Sequence, residues 1–298
     1  MTVRSEHAPR HWKPVAVGAA LIVGLAACGS EDAGRRAGSE VATSAEDFSP
    51  ANFDASSINV DNQYFPLEPG TQYSFEGSSV VDGEKTPHRV VFTVTDLVKE
   101  IGGVKAVVVW ERDLVNDELE ESELGFFAQD KTGTVWHLGE YTEQYEDGTD
   151  LIGGQAWLVG HLEGAKAGIF MPADPASDTP PYSEGFAPAP YYWADKAQVH
   201  KVGQQTTVSA GHYKGVLVIK EFNDREPGVG QLKYYAPGVG NVRVEWTGND
   251  AGQEILLLSA RVDLDSDALG AARRGALELE ERANVYGSTP PAERRPAG

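Results

Sequence analysis

The sequence predicts a mainly β fold: one antiparallel sheet domain with a single helix near the C-terminus. Three observations carry that prediction. From Gln72 onward, turn signals rich in Gly, Asp and Pro recur roughly every 8 to 16 residues. Between them apolar and polar residues alternate, as in Val90, Phe92 and Val94 against Arg89, Thr93 and Thr95, the period of a strand with one buried face. Helical spacing occurs only late, at Leu269, Ala272, Ala276, Leu279 and Ala283. A curved meander, a half-barrel and a sandwich all satisfy this pattern.

The chain opens on a leader. Arg4, Arg10 and Lys13 precede an uninterrupted apolar and small-residue run at 15–27, ending Leu25-Ala26-Ala27-Cys28. That run is too short to span a bilayer, which needs about 20 residues, and its length suits a signal-peptide core before small cleavage-site residues. Leu-Ala-Ala-Cys resembles the lipobox of bacterial lipoproteins. The resemblance implies that residues 1–27 are removed and that Cys28 is lipidated on sulfur, anchoring the protein to the extracytoplasmic face of the cell membrane. Cys28 is the chain's one cysteine, so no intrachain disulfide, zinc ribbon or CxxC centre exists, and the core must hold by burial alone.

Residues 28–57 are rich in Gly, Ser, Ala, Glu and Asp and are expected to form a disordered tether. The β domain is expected over 58–264, beginning where Tyr64, Phe65 and Leu67 cluster beside Pro66 and Pro69-Gly70. Tyr73 and Phe75 alternate with polar neighbours, and Asp82-Gly83 offers a turn. Further strands are expected at 104–110, 124–129 and 134–142, the last two joined by the loop Asp130-Lys131-Thr132-Gly133. Later ones fall at 156–159, 199–208, 213–222, 232–236, 241–247 and 254–262. Six prolines crowd 172–193 beside Tyr182, Phe186, Tyr191, Tyr192 and Trp193. Proline at that density cannot occupy a central strand, so a long loop is expected there. The helix is expected within 265–286, capped by Asp265 or Ser266, with a disordered tail at 287–298.

Charge narrows the partners. Against 25 basic groups stand 45 acidic ones, a formal charge of −20 at neutral pH. Such an excess repels nucleic-acid phosphates and anionic lipid headgroups, so no nucleic-acid partner is expected and membrane attachment must come from the lipid at Cys28.

Three runs together resemble a family of uncharacterised bacterial secreted proteins and lipoproteins, over about residues 62–247. They are Asn62-Gln63-Tyr64-Phe65-Pro66-Leu67-Glu68-Pro69-Gly70-Thr71-Gln72-Tyr73, then the stretch from Ala128 through Asp130, Gly133 and Trp136 to Glu140, and finally Tyr234-Tyr235-Ala236-Pro237-Gly238-Val239-Gly240-Asn241-Val242. Runs like the last also occur in half-barrel proteins similar to the lipoprotein carriers. The resemblance implies export and β structure and no particular activity. Where the family pattern has an acidic pair, this chain has Ala194-Asp195, so a paired-carboxylate role at that point is in doubt. Each run also reads as turn chemistry, with Pro237-Gly238 suited to the centre of a type II turn.

Motifs for catalysis are absent. The sequence contains no phosphate-binding Gly-x-x-x-x-Gly-Lys-Ser/Thr loop, no His-Glu-x-x-His and no Gly-x-Ser-x-Gly, and no catalytic residue, metal or cofactor is assigned. His88, His137, His161, His200 and His212 are scattered. The acidic run Asp113, Asp117, Glu118, Glu120, Glu121 and Glu123 lacks the order of a calcium loop and is expected to be a solvated hairpin rim. Strand alternation puts His137, Tyr141 and Glu143 on one face and Trp136, Leu138 and Glu140 on the other. Glu140 is then the first candidate for a buried functional acid, and Glu76 the second. Phe186, Tyr191 and Trp193 are candidates for a lid over an apolar hollow, or for a plug at the sheet end. Three functions follow: a lipid-anchored binding or carrier module for a small apolar or envelope ligand, a carboxylate-dependent hydrolase of an envelope saccharide, and a structural envelope protein. Converging acids would favour the second and an aromatic hollow the first.

Overall fold

The alternation seen in the sequence becomes two antiparallel meanders joined edge to edge. The computed structural model describes residues 44, 47–81, 83–283 and 289–296; the leader and Cys28 lie outside them. The first meander comprises β1 (Thr71–Val81), β2 (Glu84–Ile101), β3 (Val104–Val115), β4 (Glu118–Gln129), β5 (Val135–Glu146), β6 (Asp150–Leu158) and β7 (Lys166–Met171). After two short strands, β8 (Tyr182–Ser183) and β9 (Gly185–Phe186), the second comprises β10 (Lys196–Val208), β11 (Gly211–Phe222), β12 (Val229–Ala236), β13 (Gly240–Gly248) and β14 (Glu254–Asp263). β14 pairs with β1, so the order runs β10-β11-β12-β13-β14-β1-β2-β3-β4-β5-β7, with β6 sharing β5. The sheet is large, antiparallel and not closed into a barrel.

Its two free edges are joined by the proline-rich segment. Tyr182 pairs with Ala197 on β10, while Gly185 and Phe186 pair with Ala167 and Lys166 on β7. The segment expected to be a long loop thus contains a strap that spans the two edges, with Glu184 at its centre. Close approach requires Gly168 on β7: a Cβ there would lie 2.0 Å from the Glu184 carbonyl carbon and the Gly185 nitrogen.

Helix α1 (Ser266–Arg282) covers the outer face. The Asp265 carboxylate accepts from the backbone N–H groups of Asp267 and Ala268, satisfying donors that the first turn leaves free. Ala272, Ala276 and Leu279 are buried, and Gly275 sits against the Trp110 ring. Three ion pairs fix the helix to the sheet: Arg273–Asp96, Lys99–Glu280 at 2.7 Å, and Arg282–Glu143.

Two segments expected to be disordered are packed where they are described. Phe48 and Phe53 pack edge-on against Trp136 with ring centroids 5.4 and 6.5 Å away, and turns at Pro50–Asn52 and Ala55–Ile58 bring them there. Two aromatics in a polar stretch suffice to dock it. Near the other terminus, β15 (Glu293–Arg294) pairs with Val98 and Leu97 of β2. The register of β1 on β2 stops at Thr93, so β2 beyond that residue has an open edge, and the tail pairs with part of it.

Candidate functional site

Strand parity decides what faces inward. On β3, Trp110 points to the helix, its indole N–H donating to Ser122 Oγ at 2.9 Å. Its neighbours Glu111 and Asp113 therefore point the other way, into the concave face. Glu123 lies directly opposite Glu111, and Glu121 opposite Asp113. Of the acidic run expected to form a solvated rim, Asp117 and Glu118 are exposed at the turn, while Asp113, Glu121 and Glu123 face inward. This corrects the expectation. Helix α1 packs on the outer face of this hairpin at Trp110, so the acids on the opposite face line the hollow.

The hollow is a cavity of about 190 Å³. One wall is aromatic, built from Phe65, Tyr73, Phe75, Phe92, Phe170 and Tyr235; Phe65 and Phe170 lie 4.4 Å apart between ring centroids. The other end is polar, with His88, Glu111, Asp113, Gln231, Lys233 and Glu254. The first and last of the runs that carried the family resemblance line this cavity, and the middle one is hydrogen-bonded to the first. Asn62 Nδ2 donates to the Gly133 and Pro172 carbonyls, Gln129 Oε1 accepts from the Asn62 backbone N–H, and the Gly238 N–H donates to the Gln63 carbonyl at 2.7 Å. These bonds seat Phe65 and Tyr235 in the wall, which gives the runs a physical role.

The electrostatics of the polar end are dominated by carboxylates. Burial, reinforced by Glu123, pushes Glu111 up to about 8, and burial with neighbouring Asp113 and Glu111 does the same to Glu121. Glu123 is raised to about 7 by burial and by Glu121. Both cations are already held. Lys233 pairs with Glu221 at 2.6 Å. His88 sits between Asp113 at 2.6 Å and Glu254 at 3.0 Å. Burial alone would lower the imidazole, but these two carboxylates outweigh it and raise the ring to about 10. Among the described residues, no three His, Cys, Asp or Glu side chains converge as a metal site requires.

The sequence-derived candidates divide. Glu140 is buried, 5% exposed, and raised well above the usual carboxylate range by burial and then by Glu123. It faces inward, but so does His137, whose Nε2 lies 4.0 Å from it. The alternation that separated them is broken because Phe126 pairs with Gly139 and Phe127 with His137, leaving Leu138 as a bulge that flips the strand's parity. Gly139 (φ +142°) supplies the backbone conformation. Burial lowers His137 to about 4. Glu76 is exposed on β1 and is not brought near Glu140. Trp193 packs on Trp157 at 5.2 Å and on His137 at 5.5 Å, Tyr191 borders that cluster, and Phe186 is 38% exposed. None of the three lines the 190 Å³ cavity. Residue types alone missed Glu111 and Lys233. The available signal was the spacing of Glu111-x-Asp113 and Glu121-x-Glu123 across one hairpin.

No protein-family model matches the chain, and no curated protein matches it. Two solved structures are similar to it in part. One, from Bacteroides fragilis, is described as exported with a YmcC-like fold (14% identity, 67% of this chain and 99% of that one, TM-score 0.37). The other, from Parabacteroides distasonis, is described as a lipoprotein (13% identity, 67% and 99%, TM-score 0.31).

Proposed function

We propose that this chain is a lipid-anchored binding module on the extracytoplasmic face of the cell membrane, with the concave hollow as its ligand site. The observation that carries the reading is an aromatic wall facing a few convergent polar groups in one cavity, the usual composition of a small-molecule site. The lipobox at Cys28 supports the location. Native mass spectrometry of the protein purified from its host tests the site. A bound mass is expected, and Val90→Phe, which fills the cavity, should remove it. No bound mass, or one indifferent to Val90→Phe, refutes the reading.

A hydrolase reading has one observation in its favour: Glu111 and Glu123 face each other across adjacent strands, and paired carboxylates serve glycoside hydrolysis. New reducing ends from an envelope oligosaccharide, lost in Glu123→Gln, would support it over binding.

A further inference from the structure

We propose that the hollow selects a primary amine carried on a small apolar body, with the ammonium beside Glu111 and the body against the aromatic wall. The inference rests on the binding reading above and adds the ligand's chemistry. Count donors and acceptors at the polar end. The two cations are held, Lys233 by Glu221 and His88 by Asp113 and Glu254. Glu123 accepts from Thr142. Glu111 hydrogen-bonds to no described residue, so its carboxyl oxygens are unclaimed acceptors in the cavity.

A buried tyrosine in the cavity wall supplies an independent observation. Tyr235 lines the cavity at 2% exposure, and its hydroxyl hydrogen-bonds to no described residue. Buried polar atoms are almost always satisfied in a folded protein. Glu111 and Tyr235 both line the cavity, a carboxyl oxygen and a phenol oxygen can each accept, and an ammonium brings three donors with a positive charge. A carboxylate head would add another anion to this acidic group. A hydroxyl head would bring one donor and no charge.

Size limits the body. A 150 Å³ apolar cavity accommodates benzene, so about 190 Å³ holds a ring of that size with a short arm. The edge-on rings of Phe65, Phe92 and Tyr73 suit an aromatic or similarly compact guest.

Three probes isolate the head group: 2-phenylethylamine, 2-phenylethanol and phenylacetate, titrated into the full chain at pH 8 by equilibrium dialysis. A hydrogen bond to a charged group contributes about 1.5–3 kcal/mol, so the amine should bind at least about tenfold more tightly than the alcohol. Phenylacetate should bind weakest. Glu111→Gln should bring the amine to the level of the alcohol. Equal affinity of amine and alcohol, or an amine preference that survives Glu111→Gln in folded protein, overturns the inference and leaves the hollow as a binding site. Failure of all three probes to bind also overturns the inference, while the binding reading is decided separately by the bound mass and its loss in Val90→Phe.

Discussion

Replacing Glu111, Glu121 and Glu123 together by glutamine should flatten the pH dependence of stability between pH 5 and 6.5. Burial and mutual repulsion raise all three carboxyls to about 7–8 in the folded protein, against about 4.3 in an unfolded chain. Between those limits the folded state binds more protons than the unfolded state, so stability is greatest at the acid end and falls as pH rises. Each such group contributes 1.36 kcal/mol per pH unit, about 2 kcal/mol over this window. Independent groups would give about 6 kcal/mol. Protonating one relieves the others, so the three together contribute less than that sum, on the order of 3 kcal/mol. At roughly 2–4 °C per kcal/mol for a domain of this size, the trio alone makes Tm about 6–12 °C higher at pH 5 than at pH 6.5. Buried Glu140 and Glu184 act in the same direction, and buried His137, lowered to about 4, acts in the opposite one. His88, with its pKa raised to about 10, loses its contribution only above pH 6.5. Asp96 and Glu143, whose pKa values are lowered, lose theirs only below the ordinary carboxylate range. Urea denaturation at the two pH values measures the difference. Wild type equally stable at both, or a triple glutamine variant that keeps the wild-type slope, would refute the reasoning.

Other perturbations follow from the same structure. Metabolic labelling with a fatty-acid analogue should mark the wild type and not Cys28→Ser; equal labelling of both would exclude the anchor. Lys99→Ala strands Glu280 in a buried site and should cost about 3–5 kcal/mol, whereas Lys105→Ala, from the exposed pair with Glu293, should cost under about 1 kcal/mol; similar losses in thermal melts would contradict the burial. Gly168→Val should push the Glu184 strap off β7 and cost about 1–3 kcal/mol or more, with faster proteolysis within 172–193. Binding of 2-phenylethylamine should strengthen from pH 6 to pH 8. Burial and then Glu123 on β4 hold the proton on Glu111, Asp113 adds to this, and Lys233 on β12 and His88 on β2 oppose it. The ammonium must displace that proton, and an affinity independent of pH would place it elsewhere.

Much of the β architecture was legible in one dimension. Alternation at Val90, Phe92 and Val94, the turn at Asp130 to Gly133 and the helical spacing closed by Asp265 are local signals, and local hydrogen bonding and burial periodicity suffice to realise them. Glu140 is buried as the sequence suggested, but on the face of His137 and not on that of Trp136. Tertiary structure decided the rest. Alternation says that Glu111 and Trp110 point to opposite faces, but it does not say which face is inside. That choice came from helix α1, more than 150 residues later in the chain, which packs on the outer face of the β3–β4 hairpin at Trp110 and leaves the acids of the opposite face inward. The bulge at Leu138 needed the register against β4 to be known before His137 and Glu140 could be placed together. Pairing of β14 with β1, and of the C-terminal tail with the open end of β2, joins residues nearly 200 apart. Sequence spacing carries no information about such contacts, because the ends of the sheet select one another by which edges remain unpaired.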